Sequence, residues 1–123
     1  MKRNKAIIIF FTLLYLLAGC STTTSNNVSP QSLLKDNPDA DFFIMNSTIY
    51  INAMDIEWVK DLPLKEGIAL GKINNTGVKN NFKDWDATIL NIGTVIYELE
   101  GRKDIVLIKI DDKYIPYLKY VEG

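Results

Sequence analysis

The sequence predicts a mainly β fold with one short helix, built as a small twisted antiparallel sheet or partly closed barrel, with an α+β arrangement as the alternative. Three observations predict it. From residue 42 onward, apolar residues alternate or run in short, β-branched and aromatic stretches. Brief turn sequences separate them, namely Asn46-Ser47, Glu100-Gly101-Arg102 and Asp111-Asp112. A single segment, Asp55-Ile56-Glu57-Trp58-Val59-Lys60, carries helix signals: capping by Asn52 or Asp55, acidic residues in the first turn, and Pro63 beyond the end.

In chain order, the first element is a leader. Lys2, Arg3 and Lys5 form a basic start, and Ala6 to Gly19 follow without a charge. These fourteen residues make a helix of about 21 Å, short of the roughly 30 Å that a bilayer core requires. That length suits the apolar part of a signal peptide. The run ends Leu16-Leu17-Ala18-Gly19-Cys20, and Cys20 is the only cysteine.

This arrangement resembles the lipobox of bacterial lipoprotein precursors. The resemblance implies a signal peptide over 1–19, cleavage before Cys20, a diacylglyceryl group on its thiol and often a further acyl chain on its nitrogen. Two or three chains hold a protein stably on a membrane, where one does so only marginally. The expected location is therefore the extracytoplasmic face of the cell membrane, or the outer membrane of a diderm host. The membrane lipid is the first expected partner, through acylated Cys20.

Residues 20–40 read as the lipidated N-terminus and a flexible tether, rich in Ser, Thr, Asn, Asp and Pro. Leu33 and Leu34 are the basis of an alternative, a short helical turn docked on the domain. The globular part is expected over 41–123, about 80 residues and one domain near the small end of independent folding. Within it, Asp41–Asn46 and Thr48–Ala53 predict a hairpin, with Ile49 and Ile51 on one face and Tyr50 and Asn52 on the other. The helix follows, with Ile56, Val59 and Leu62 inward. Gly67–Ile73 is the next strand, and Asn75-Thr76-Gly77 a turn. Thr94–Leu99, Ile105–Ile110 and Tyr114–Val121 form a meander whose middle strand is apolar on both faces apart from Lys109. Pro116 cannot donate to a ladder, so the last strand is expected at an edge or in a bulge.

Loss of the leader lowers the basic residues from 14 to 11 and leaves all 15 acidic ones, a net charge of −4. An acidic domain of this kind is not expected to bind nucleic acid. There is no histidine, which removes the commonest general base and the Ser-His-Asp and Cys-His schemes. Neither metal nor cofactor is expected, and the chain reads as no enzyme. Asp84, Asp86 and the Asp111-Asp112 pair are read as turn residues. Aromatic side chains are the remaining recognition chemistry. Tyr114, Tyr117, Tyr120 and Trp85 form the candidate binding surface, sought first on the outer face of Tyr114–Tyr120.

The block Phe82-Lys83-Asp84-Trp85-Asp86-Ala87-Thr88, the run Ile92-Gly93-Thr94-Val95-Ile96-Tyr97 and the ending Ile115-Pro116-Tyr117-Leu118 are similar to small, uncharacterised lipoproteins of Bacillus-type Firmicutes. That group brings no activity with it. The expected function is a binding or interaction module at the cell envelope, its partner an envelope protein or wall component. The alternative is an accessory or inhibitor protein that blocks an envelope enzyme.

Cys20→Ser is expected to abolish anchoring. Cell fractionation checks this: a mature-sized variant that stays with the membrane rules out acylated Cys20 as the anchor.

Overall fold

The computed structural model describes residues 29–120. The leader, Cys20 and the first part of the expected tether lie outside the described residues, as does Val121. The domain is mainly β, a single six-stranded antiparallel sheet curled into a half-barrel, with two helices.

The first hairpin forms where its turn chemistry allows. Strands β1 (Phe42–Met45) and β2 (Thr48–Asn52) are joined by Asn46 and Ser47, both at positive φ (53° and 58°). This is the primed geometry that matches strand twist. After β2, helix α2 (Glu57–Lys60) buries Val59 and half-buries Ile56 and Leu62. Strands β3 (Glu66–Lys72), β4 (Val95–Leu99), β5 (Arg102–Ile110) and β6 (Lys113–Lys119) complete the sheet in the order β1-β2-β6-β5-β4-β3. The β5–β6 turn uses Asp111 and Asp112 at φ 49° and 68°, the same device as the first hairpin. Register shifts interrupt the β3–β4 and β4–β5 ladders. Bulges of this kind raise local twist and bend a sheet.

Side chains on the two faces serve different purposes. One face gathers Phe43, Met45, Tyr50, Ile96, Val106, Ile108 and Tyr117 into a single cluster. These residues come from five strands, from β1 across to β4. A flat sheet would spread them over about 19 Å, at roughly 4.8 Å per strand step, so they mark the concave inside. On the outer face α2 covers Leu99, Ile105 and Leu107.

Two sequence expectations are corrected. Residues 30–36 follow the alternative expectation and not the tether: they form helix α1 (Pro30–Asp36), whose Leu33 and Leu34 pack on Phe42, Ile44 and Ile49. Ser29 caps it, its Oγ accepting from the Ser32 N–H at 3.1 Å, and Pro30 sits in the first turn. Pro116 is not at an edge, because β6 lies between β2 and β5. Its carbonyl accepts from the Ala53 N–H at 2.9 Å, just past the last residue of β2. Within a strand a residue's N–H and C=O point to the same side. The donor that proline lacks would therefore face the end of β2, and the β5 ladder loses nothing.

Ile108 lies fully buried on the inner face, in a strand flanked by β4 and β6. Ile108→Ala is expected to remove about 2–5 kcal/mol through lost burial and a residual cavity. Urea melts check it: a change below about 0.5 kcal/mol would be that of a surface position.

Candidate functional site

The half-barrel is kept curled by the 22-residue connection between β3 and β4, residues 73–94. Its stretch 85–88 runs along the free edge of β1. Trp85 N–H donates to Ile44 O at 2.7 Å, Ile44 N–H to Asp86 O at 3.0 Å, and Thr88 N–H to Phe42 O at 3.0 Å. Towards β3, Asn74 N–H donates to Trp85 O at 2.8 Å and Ala87 N–H to Asn75 O at 2.9 Å. The two sheet edges are thus sewn together through an irregular seam.

The seam employs the two aspartates beside Trp85. Asp84 accepts the Asn46 and Ser47 N–H groups at 3.0 and 2.9 Å, capping the first hairpin. Asp86 is buried and accepts from Asn75 Nδ2 at 2.8 Å and Lys83 N–H at 2.9 Å. Trp85 itself has φ 71°, a sparsely populated region for a bulky residue. Its ring lies on Gly71 of β3, where a Cβ would collide with it.

The expected aromatic surface does not assemble. Tyr117 is 1% exposed and belongs to the inner cluster, so it offers no surface. Trp85 packs against that same cluster. Tyr114 packs outside, on the cluster under α2, and donates to Glu66 Oε1 at 3.1 Å. Tyr120 packs with α1. Strand parity divides them: Tyr117 faces opposite to Tyr114 and Tyr120, and the latter two fall under different helices.

What the structure does assemble is a pocket of about 650 Å³ at one end of the half-barrel. Asp41 just before β1, the start of β4, the end of β5 and Ile115 and Tyr117 of β6 form its walls, together with loop 89–94. Leu90, Ile108 and Ile115 supply apolar wall; Asp41 and Tyr117 supply polar groups. Ile89 and Ile110 line it as well, yet stay 55% and 46% exposed, so the apolar wall continues outward.

Asp41 opens the expected globular part and its first hairpin. It stands just before β1, and its Oδ2 accepts from Asn52 Nδ2 at 2.9 Å and from the Tyr117 hydroxyl at 2.8 Å. Its other oxygen, Oδ1, is shut off from solvent and has no hydrogen-bond partner among the described residues. Burial, and then the Asp41 charge, push the Tyr117 phenol far above its ordinary value of about 10. Lys109 is the other charged residue of the lining, but its ammonium lies over the Tyr114 ring, 5.8 Å from the centroid.

A second depression, of about 550 Å³, opens at the opposite end between Met45, Tyr50, Leu70 and the β4–β5 turn. Of its charged lining residues, Glu98, Arg102 and Lys103, only Arg102 is in an ion pair among the described residues. Arg102 forms a two-pronged pair with Asp104 (2.9 and 2.7 Å) and lies 5.0 Å from the Trp58 ring centroid. That guanidinium holds the Asp104 carboxyl below its usual range.

No family model, no curated protein and no solved structure matches this chain.

Because the folded state binds the Tyr117 proton more tightly than the unfolded chain, its contribution is complete below about pH 10 and lost as pH rises further. Tyr117→Phe is expected to cost about 1–3 kcal/mol at pH 7, since Asp41 loses a donor. Between about pH 10 and 12 the same variant should decline less steeply than the wild type. Urea midpoints at neutral and alkaline pH check both; parallel curves would mean that Tyr117 ionises freely.

Proposed function

We propose that the chain is a lipid-anchored binding module of the cell envelope, presenting the pocket at the Asp41 end of the half-barrel to a ligand. The observation that carries this reading is the pocket, whose mixed lining sets the exposed apolar Ile89 and Ile110 beside the polar Asn91, Thr94 and Asp41. Small-molecule sites are concave, with a few polar groups set among apolar ones. Anchoring rests on the resemblance of Leu17-Ala18-Gly19-Cys20 to a lipobox. The partner is a component of the envelope, either a protein or part of the wall. The alternative, an accessory protein that blocks an envelope enzyme, draws on the 88–93 loop, where Ile89 and Ile92 project into solvent.

A photo-crosslinking side chain placed at Ile110, on the pocket rim, tests the reading in cells. Ile68 on β3, 66% exposed and outside the pocket lining, serves as the control. Adducts with molecules other than the chain itself, found by mass spectrometry of the recovered protein, are expected from position 110 and not from 68. Equal labelling, or none at 110, overturns the pocket as the working face. Adducts from position 92 in their absence at 110 favour the blocking role.

A further inference from the structure

We propose that the free edge of β3 pairs with β3 of a second copy of this chain, antiparallel and centred on Ala69, so that two sheets join into one. This dimer depends neither on the pocket nor on the lipid anchor.

The sheet is open at this edge over one strand only. Among the described residues β3 ends the sheet and pairs with β4 alone. Past β3 the edge is occupied, since the Asn74 and Asn75 N–H groups both donate to Trp85 O, at 2.8 and 3.4 Å. An open edge presents unused N–H and C=O groups that a further strand takes up. Glu66, Ile68, Ala69 and Lys72 are all exposed. Ile68, at 66%, is the most exposed large apolar residue among those described.

The residues of β3 select the strand that fits. Glu66-Gly67-Ile68-Ala69-Leu70-Gly71-Lys72 reads alike in both directions, except that its two ends carry opposite charges. In an antiparallel pair centred on Ala69, Gly67 faces Gly71 of the second copy, Ile68 faces Leu70, and Glu66 faces Lys72. Each pair occurs twice, as a two-fold axis requires. Directly opposed residues share a face, and opposite charges there are stabilising. Neither Glu66 nor Lys72 has an ion-pair partner within the chain among the described residues. A parallel pairing would set Glu66 against Glu66 and Lys72 against Lys72. A slip of one residue would set Glu66 against Ile73 and lose both charge pairs. One orientation and one register are therefore favoured.

The contact is short. Register shifts lie on both sides of Ala69, between Glu66 and Ala69 and between Ala69 and Gly71. Bulges restrain an edge from open-ended pairing. The two-fold axis uses the same edge of both chains, and residues 85–88 already run along β1, so the assembly closes at two copies.

Cysteine crosslinking in cells that express the full chain tests this. Directly opposed residues of an antiparallel pair have Cα atoms roughly 4.5–5.5 Å apart, inside the range of about 4.4–6.8 Å that a disulfide spans. Ala69 meets Ala69 of the second copy, whereas Ile68 meets its own equivalent only diagonally, at roughly 7–8 Å. Under mild oxidation Ala69→Cys is expected to give a disulfide-linked dimer, and Ile68→Cys at least about fivefold less. The wild-type chain, whose only cysteine is Cys20, sets the background. Lys72→Glu, added to Ala69→Cys, brings like charges together twice and should lower the yield about fivefold or more. Glu66→Lys added to that variant restores opposite charges and should return the yield to within about twofold. Equal yields from positions 68 and 69 overturn the proposal, because random collision gives that result. A yield at background from Ala69→Cys overturns it too, as does failed rescue in a charge-swapped chain recovered at the wild-type level. The comparison of positions 68 and 69 decides the matter even where a charge variant fails to fold.

Discussion

A six-stranded sheet that does not close has two bare edges, here those of β1 and β3, and the domain depends on how these are covered. Bare edges invite pairing with other chains. The seam through residues 85–88 removes much of that exposure by giving β1 a partner and linking it to the end of β3. The segment bridges antiparallel to β1 at Phe43–Ala87 and parallel to the chain after β3 at Asn75–Asp86, but it is not a regular strand. The backbone instead turns through Trp85 at positive φ, and the buried Asp86 carboxylate ties Lys83 and Asn75 from either side. Such strain persists only where the surroundings over-determine it. The ring of Trp85 lying on Gly71 and the ladder bonds to Ile44 provide that determination. Curl, inner core and pocket all follow from this join.

The inner core and the pocket compete for the same surface. Inner-face residues towards the middle of the strands, Phe43, Ile96 and Val106, meet one another and exclude water. Towards the Asp41 end Ile115 is only partly covered and Ile110 is left open. The Asp41–Asn52–Tyr117 group sits at that boundary. A polar network in a low-dielectric setting is strong when complete and costly when it is not. Replacing it by packed hydrocarbon would raise stability in many proteins.

Much of the fold was legible in the sequence because the signals were local. Asn46-Ser47 and Asp111-Asp112 identify their turns from residue type alone, and the period of Val106, Ile108 and their neighbours identifies a strand buried on both faces. Helix α1 had its own local signature in Ser29-Pro30, with Leu33 and Leu34 a turn later. It was outweighed there by the polar composition around it. Pro116 misled because proline reports a missing donor and not the side on which it is missing, which depends on where β2 stops. The seam and the pocket were not legible. Asp41 and Tyr117 are 76 positions apart in the chain, and the link between them exists only once β1, β2 and β6 are side by side. The tyrosines and Trp85 were legible as aromatic, not as separated by layer.

Helix α1 also fixes a polarity for the whole domain. Its first residue, Pro30, and Ser47 of the first hairpin turn border one shallow depression, so the chain enters beside that turn. Asp41 stands at the other end of β1, five residues before Asn46, roughly 17 Å away at about 3.3 Å per residue. For a protein held at Cys20, nine peptide links separate the acylated residue from Ser29, and no conformation of them spans more than about 30 Å. If Cys20 carries the proposed anchor, the link from it joins the domain at the pole opposite Asp41.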